Sequence, residues 1–178
     1  MTFTTNTVLT AAQLNTHLRD NLLETEAARA QAAGDFFAVE GINRIGRRRV
    51  AYARIQGNSS ETTTSTEYAD LPTVGPSVTV TTGTRAFVWI GAHMTASLAN
   101  SRVRMSWAIS GATERDALDS TALAHDGLTA GSATRRSNYD LIQTTLTPGV
   151  NTFTAKYRVG ASSVTGTFQN RILIVFPL

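Results

Sequence analysis

Cysteine is absent from the 178 residues, so neither a disulfide framework nor a thiolate metal site is available. That excludes the small stapled secreted domain and the zinc finger. Stability has to come from core packing or from oligomerisation. Long hydrophobic runs are missing too. The longest closes the chain at 172–178, far short of the ~20 residues that span a bilayer. No basic segment followed by an apolar one opens the chain, so neither a membrane span nor a Sec-type signal is expected. Lysine is nearly absent, since 15 of the 16 basic residues are arginine and Lys156 stands alone. Together with abundant Ala and Thr, this skew is what a GC-rich genome writes, and it speaks of the host more than of function. The length suits one compact domain with a short appendage.

Charge of one sign is scarce as well, with a formal excess of only +3. The single cluster is Arg44, Arg47, Arg48, Arg49 and Arg54. Nucleic-acid binders concentrate charge in this way, but they usually add aromatic platforms, and only Tyr52 is at hand. The triplet Arg47-Arg48-Arg49 stands at the start of a strand that continues through Val50, Tyr52 and Ile55. We therefore read Arg44, Arg47, Arg48 and Arg49 as a charged contact with a protein neighbour or as a solvated sheet rim. No nucleic acid is expected as a partner.

What is present begins with a helix signal. Thr10-Ala11-Ala12-Gln13 reads as a capping box, with Thr10 as N-cap and Gln13 reaching back from N3. Leu9 and Leu14 occupy the two positions of a hydrophobic staple. Leu14, Leu18 and Leu22 then recur every four residues, which predicts a helix over about 11–32 that ends before Gly34. Its apolar stripe is narrow, with Asn15, Arg19, Asp20, Glu24, Glu26 and Arg29 on its other faces. Such a helix wants one docking surface and not a full core around it.

After Gly34 the period changes to two and the vocabulary to Thr, Val and Ile. Strands are predicted near 49–56, 62–70, 77–82, 85–96, 102–110, 136–146, 150–159 and 167–176. Turn signals such as Gly57-Asn58, Gly75-Pro76, Ala99-Asn100-Ser101, Gly111 and Pro148-Gly149 separate them. The expected fold is mainly β: an antiparallel, jelly-roll-like sandwich over 35–178, preceded by one helix in a 1–34 anchor or oligomerisation segment. Val103, Met105, Trp107 and Ile109 alternate with polar or small neighbours, as do Phe153, Ala155, Tyr157 and Val159, so each of these strands buries one face. Ala86 to Ile90 and Ile172 to Phe176 are apolar on both faces. They are either central in the sandwich or covered on the second face by another subunit.

No residue pattern announces chemistry. His17, His93 and His125 lie in different elements and form none of the spacings that hold a metal. A nucleophile elbow, a P-loop and a dinucleotide fingerprint are all missing. Glu114, Asp116 and Asp119 lack the Gly-centred alternation of a Ca²⁺ loop, so a solvated loop is the better reading. A hydrolase of cell-wall sugars would need paired carboxylates flanking a cleft, and Glu114 and Asp116 are too close in sequence for that. Neither a catalytic residue nor a cofactor is expected.

The segments Val8-Leu9-Thr10-Ala11-Ala12-Gln13-Leu14-Asn15-Thr16-His17-Leu18-Arg19-Asp20-Asn21-Leu22 and Asn151 to Val159, with Gly166 to Ile172 and the terminal Pro177-Leu178, resemble small virion proteins of tailed actinobacteriophages. Proteins of this group serve in the head or in the tail. The resemblance implies a non-enzymatic, homotrimeric capsid decoration or head-fibre protein. It would be made in the host cytoplasm and carried on the exterior of the virion, attached by its N-terminal segment to the major capsid protein or to a tail protein. The anchor residues would be Leu9, Thr10, Gln13, Leu14, Leu18 and Leu22. The alternative is a minor tail or tail-fibre protein that recognises a host surface glycan, through exposed aromatics and loops such as 112–134.

Overall fold

The structure is a computed structural model that describes residues 8, 10–15, 32–42, 44–56, 60–127, 129–142 and 144–178. The chain divides into two compact units, Met1–Arg47 and Arg48–Leu178. The stretch after Gly34 forms a hairpin. Its strands are β1 (Asp35–Gly41) and β2 (Arg44–Arg49), which pair only with each other. The sequence reading had no strand before residue 49. Polar and charged residues in β2, Arg44, Arg47, Arg48 and Arg49, hide the alternation.

Nine further strands build the second unit: β3 (Ala51–Ile55), β4 (Glu61–Thr63), β5 (Ser77–Thr82), β6 (Ala86–Ala96), β7 (Ser101–Gly111), β8 (Leu123–Gly127), β9 (Ala133–Ile142), β10 (Gly149–Val159) and β11 (Gly166–Pro177). They form two antiparallel sheets. Sheet I runs β3-β11-β6-β9, with β4 also pairing β11, and sheet II runs β5-β10-β7-β8. From β4 onward each connection passes from one sheet to the other except β7 to β8, which is the jelly-roll manner of closing a sandwich. The predicted strand 62–70 shrinks to Glu61–Thr63, after which the chain runs along β10 of sheet II, with a bridge from Ala69 to Tyr157 and a hydrogen bond from the Val159 N–H to the Ser65 carbonyl at 2.8 Å. Within the predicted loop 112–134 lie a 3-10 turn, Asp119–Thr121, and the whole of β8. Among the described residues no helix is long and apolar enough to cross a membrane.

The core lies between the sheets and follows the period-two reading. Sheet II contributes Val103, Met105, Trp107 and Ile109 of β7 with Phe153, Ala155, Tyr157 and Val159 of β10, and sheet I contributes Val88, Ile90 and Met94 of β6 with Phe168, Leu173 and Val175 of β11, all buried. At about 25 cal/mol per Å² of apolar surface, this is the main favourable contribution to the fold. The β7 to β10 connection also needs its glycine. Gly111 has φ +105°, and a Cβ there would meet the Val150 carbonyl oxygen at 2.5 Å.

One irregularity decides what the second face of β11 does. The β11–β6 register shifts between Gln169 and Ile172, and Asn170 takes φ 48°. This bulge inserts one residue and reverses the alternation after it. Gly166 and Phe168 point inward before it, whereas Arg171, Leu173 and Val175 point inward after it. Ile172, Ile174 and Phe176 are thereby turned outward, and a charged Arg171 is turned into the core.

Candidate functional site

The outward residues of sheet I stand in cross-strand rows set by the registers. One row reads Tyr52, Ile174, Trp89, Tyr139 across β3, β11, β6 and β9, and the next reads Phe176, Phe87, Leu141. Phe87 stacks on Tyr139 with ring centroids 5.5 Å apart and meets Phe176 edge-on at 5.7 Å. No charged side chain interrupts these two rows. Further along the sheet come Arg54, Ile172, Gly91 and Ser137, then Gln169, His93 and Arg135, so polarity rises toward that end.

Much of this face is open. Tyr52 is 72% exposed, Tyr139 68%, Leu141 45% and Trp89 43%. Taking ~200 Å² for an aromatic side chain, the three aromatics offer on the order of 400 Å². That is about half of one partner's share in a stable protein interface, before the aliphatic neighbours are added. The largest apolar patch on a monomer is typically about 300–600 Å² and is often functional. Both β6 and β11 are central strands of sheet I, which is the first of the two explanations offered for their double apolarity.

The outer face of sheet II is different in kind. Hydroxyl pairs Ser77–Thr154 and Thr79–Thr152, each at 2.9 Å, line one side. The other side is ionic. Asp119 accepts hydrogen bonds from Tyr68 Oη at 2.8 Å, from Arg158 Nε at 2.9 Å and Nη2, and from Arg104 Nη1. Arg158 also lies 5.4 Å over the Tyr68 ring. Burial pulls the Arg104 guanidinium below its ordinary pKa, and the cations Arg158 and Arg102 push it the same way. Burial raises the Tyr68 phenol, and the nearby arginines only partly offset it.

The acidic trio of the 112–122 segment therefore does not act as a group. Asp119 is engaged by two arginines and a tyrosine, which pin the segment to sheet II, while Glu114 and Asp116 are exposed and line a groove with Arg115 and Lys156. Burial lowers the pKa of the Arg115 guanidinium, and Asp140 partly counters that. The histidines stay apart. His125 is buried, with Nε2 3.3 Å from the Ser132 carbonyl, and His93 belongs to the polar end of the outer face of sheet I. His17 lies outside the described residues.

In the first unit the capping box is formed as the sequence predicts. The Gln13 N–H donates to Thr10 Oγ1 at 3.2 Å and the Thr10 N–H donates to Gln13 Oε1 at 3.0 Å. They start α1 (Ala11–Leu14), and Leu14 is exposed. Leu9, Leu18 and Leu22, and the predicted helix beyond Asn15 to residue 31, lie outside the described residues. Of the arginine cluster, Arg44 pairs with Glu40 and Arg47 with Asp35, both at 3.1 Å within the hairpin. Arg48 and Arg49 complete β2, while Arg54 is placed separately, on the outer face of sheet I beside Ile172.

Sequence reasoning missed three features: the exposure of Tyr52 and Tyr139, the convergence of arginines on sheet II, and the inward Arg171. Alternating Arg102 with Arg104, and Lys156 with Arg158, carried a signal for the second; the first and third depend on register. Set against known proteins, the chain matches no protein-family model and no curated protein.

Proposed function

We propose that the chain is a non-enzymatic structural protein of a phage virion. It is a homotrimeric capsid decoration or head-fibre protein, whose β-sandwich is displayed and whose N-terminal segment attaches it. The observation that carries this reading is the pair of uncharged aromatic rows at one end of the outer face of sheet I. Apolar rows of this kind select an apolar partner surface, and further copies of this chain, arranged around a three-fold axis, supply one in fixed stoichiometry. The hydroxyl-lined and ionic face of sheet II is then left to the solvent, as a displayed body needs. The capping box at Thr10 and Gln13 gives the attachment segment a defined start.

Two experiments test the reading. Light scattering on the purified chain at micromolar concentration should give three times the chain mass, and a monomer would refute self-association. Antibody raised against residues 112–134 should label intact virions over the whole head, whereas label confined to the tail tip moves the protein to a minor tail or tail-fibre role. Attachment has its own expected result. A chain lacking residues 1–34, or one carrying Leu14→Asp with Leu18→Asp, should stay soluble and β-rich by circular dichroism yet be missing from virions. Each leucine buried at a docking surface is worth about 1.5–3 kcal/mol, and the carboxylate adds a desolvation cost. Incorporation at the parental copy number would rule out the anchor.

A further inference from the structure

At one end of sheet II the start of β7, the ends of β8 and β10 and the turn after β10 frame an open cleft of about 610 Å³. Asn100, Ser101, Arg102, Arg104, Asp126 and Arg158 supply its polar lining. Arg104 and Arg158 are direct cross-strand partners in the β7–β10 register. Like charges placed opposite each other on a sheet are destabilising, and Arg102 adds a third cation two residues along β7, about 7 Å away. Three guanidinium groups thus share one surface, and the carboxylates that hold them among the described residues are two, Asp119 and Asp126.

The hydrogen bonds show which donors remain. Arg158 is nearly used up, with Nε and Nη2 on Asp119 and Nη1 on the Thr66 carbonyl at 3.1 Å. Arg104 reaches Asp119 through Nη1, and Arg102 reaches Asp126 through Nε. Both Arg102 and Arg104 line the cleft with donors beyond these bonds, the Nη1 and Nη2 groups of Arg102 and the Nη2 of Arg104, on a side chain half-exposed in the first case and mostly covered in the second. The hydrogen bond from Arg102 holds the Asp126 carboxyl below its usual range, so it stays ionised and competes with an incoming anion for Arg102.

We propose that this cleft binds the carboxylate of an acidic sugar. A planar monoanion fits the single uncompensated charge and the fork geometry of guanidinium donors. The Asn100 amide and Ser101 hydroxyl at the rim suit the hydroxyls of a sugar ring. The site lies on sheet II, away from the apolar face of sheet I, and does not depend on self-association.

The test is a titration of sodium glucuronate into the full chain, followed by saturation-transfer NMR. A saturable signal is expected, with none for glucose. Arg102→Gln should weaken it at least about tenfold, as loss of a charge-assisted contact implies, while Arg85→Gln, exposed at the opposite end of the sandwich, should leave it unchanged. Asp126→Asn, which removes the competing carboxylate, should tighten it. Much weaker binding of acetate assigns the recognition to the sugar acid, and equal binding assigns it to a bare carboxylate. The proposal is overturned if glucuronate does not saturate, if Arg102→Gln binds like the parent, if Asp126→Asn fails to tighten binding, or if sulfate at equal ionic strength binds as well.

Discussion

A Glu61→Ala variant is expected to lose about 3–5 kcal/mol of stability, the cost of leaving one partner of a buried ion pair without the other. Arg171 is fully buried between the sheets, with Nη2 3.0 Å from Glu61 Oε2 and Nη1 3.4 Å from the Thr73 carbonyl. Its Cζ lies 5.5 Å over the Tyr157 ring, and among the described residues neither Nε nor Nη2 makes a hydrogen bond, so Nη2 meets Glu61 as an ion pair only. The Glu61 carboxylate is therefore the main compensation for the buried cation. For a domain of this size the loss corresponds to a melting temperature lower by about 10 °C or more, read by circular dichroism at fixed protein concentration. Pairing Glu61→Leu with Arg171→Met should recover most of it, because two apolar groups leave no orphaned charge. A single variant within about 1 kcal/mol of the parent would show that the pair is not what holds this end of the sandwich.

Acid should reveal the same pair. Burial pushes the Glu61 carboxyl up, but the hydrogen bonds from Thr73 and the Arg171 cation outweigh it and leave the net value below the ordinary one. A depressed carboxylate contributes stability that is complete above its unfolded value, about 4.3, and is lost as pH falls through the lower folded value. Asp126 acts in the same direction through Arg102. The deficit of Glu61→Gln against the parent should accordingly shrink as the solution is taken below pH 4. A deficit that stayed constant over that window would mean that Glu61 acts through its shape and not its charge.

The second large effect is expected on assembly. Trp89→Glu places a carboxylate at the centre of the Tyr52, Ile174, Trp89, Tyr139 row, where every neighbour is apolar. Tryptophan at the middle of an interface typically contributes 2 kcal/mol or more, and three-fold repetition in a trimer multiplies the loss. The variant should scatter light as a monomer at concentrations where the parent is a trimer. Its sandwich should remain folded, since Trp89 is already 43% exposed in the single chain. Tyr139→Glu should act likewise, and Thr79→Glu, on the hydroxyl face of sheet II, should not. A Trp89→Glu protein with the parental mass would remove sheet I as the self-association surface.

Local pattern alone carried a large part of this protein. The capping box needed only Thr10 and Gln13, because both of its hydrogen bonds close within one turn. Strands β6, β7, β10 and β11 lie within about two residues of their predicted bounds, because one apolar face per strand imposes a period of two that no helix satisfies. The hairpin β1–β2 and strand β8 escaped: β2 is mostly arginine, neither hairpin strand alternates in burial, and β8 is only five residues long, with His125 on its buried face beside Leu123.

Only the tertiary structure decided which apolar residues became core and which became surface. In Ile172 to Phe176 both alternating sets are apolar, so either phase buries a good face, and hydrophobicity has no preference between them. The bulge at Asn170 makes the choice: it sends Leu173 and Val175 inward and presents Ile174 and Phe176 to the outside. The same shift carries Arg171 into the core, where it is tolerable only because β4 brings Glu61 to it from 110 residues away in the chain. Partners so distant in sequence are joined by strand register. The convergence of Arg102, Arg104 and Arg158 has the same origin, and a linear pattern of charges does not contain it.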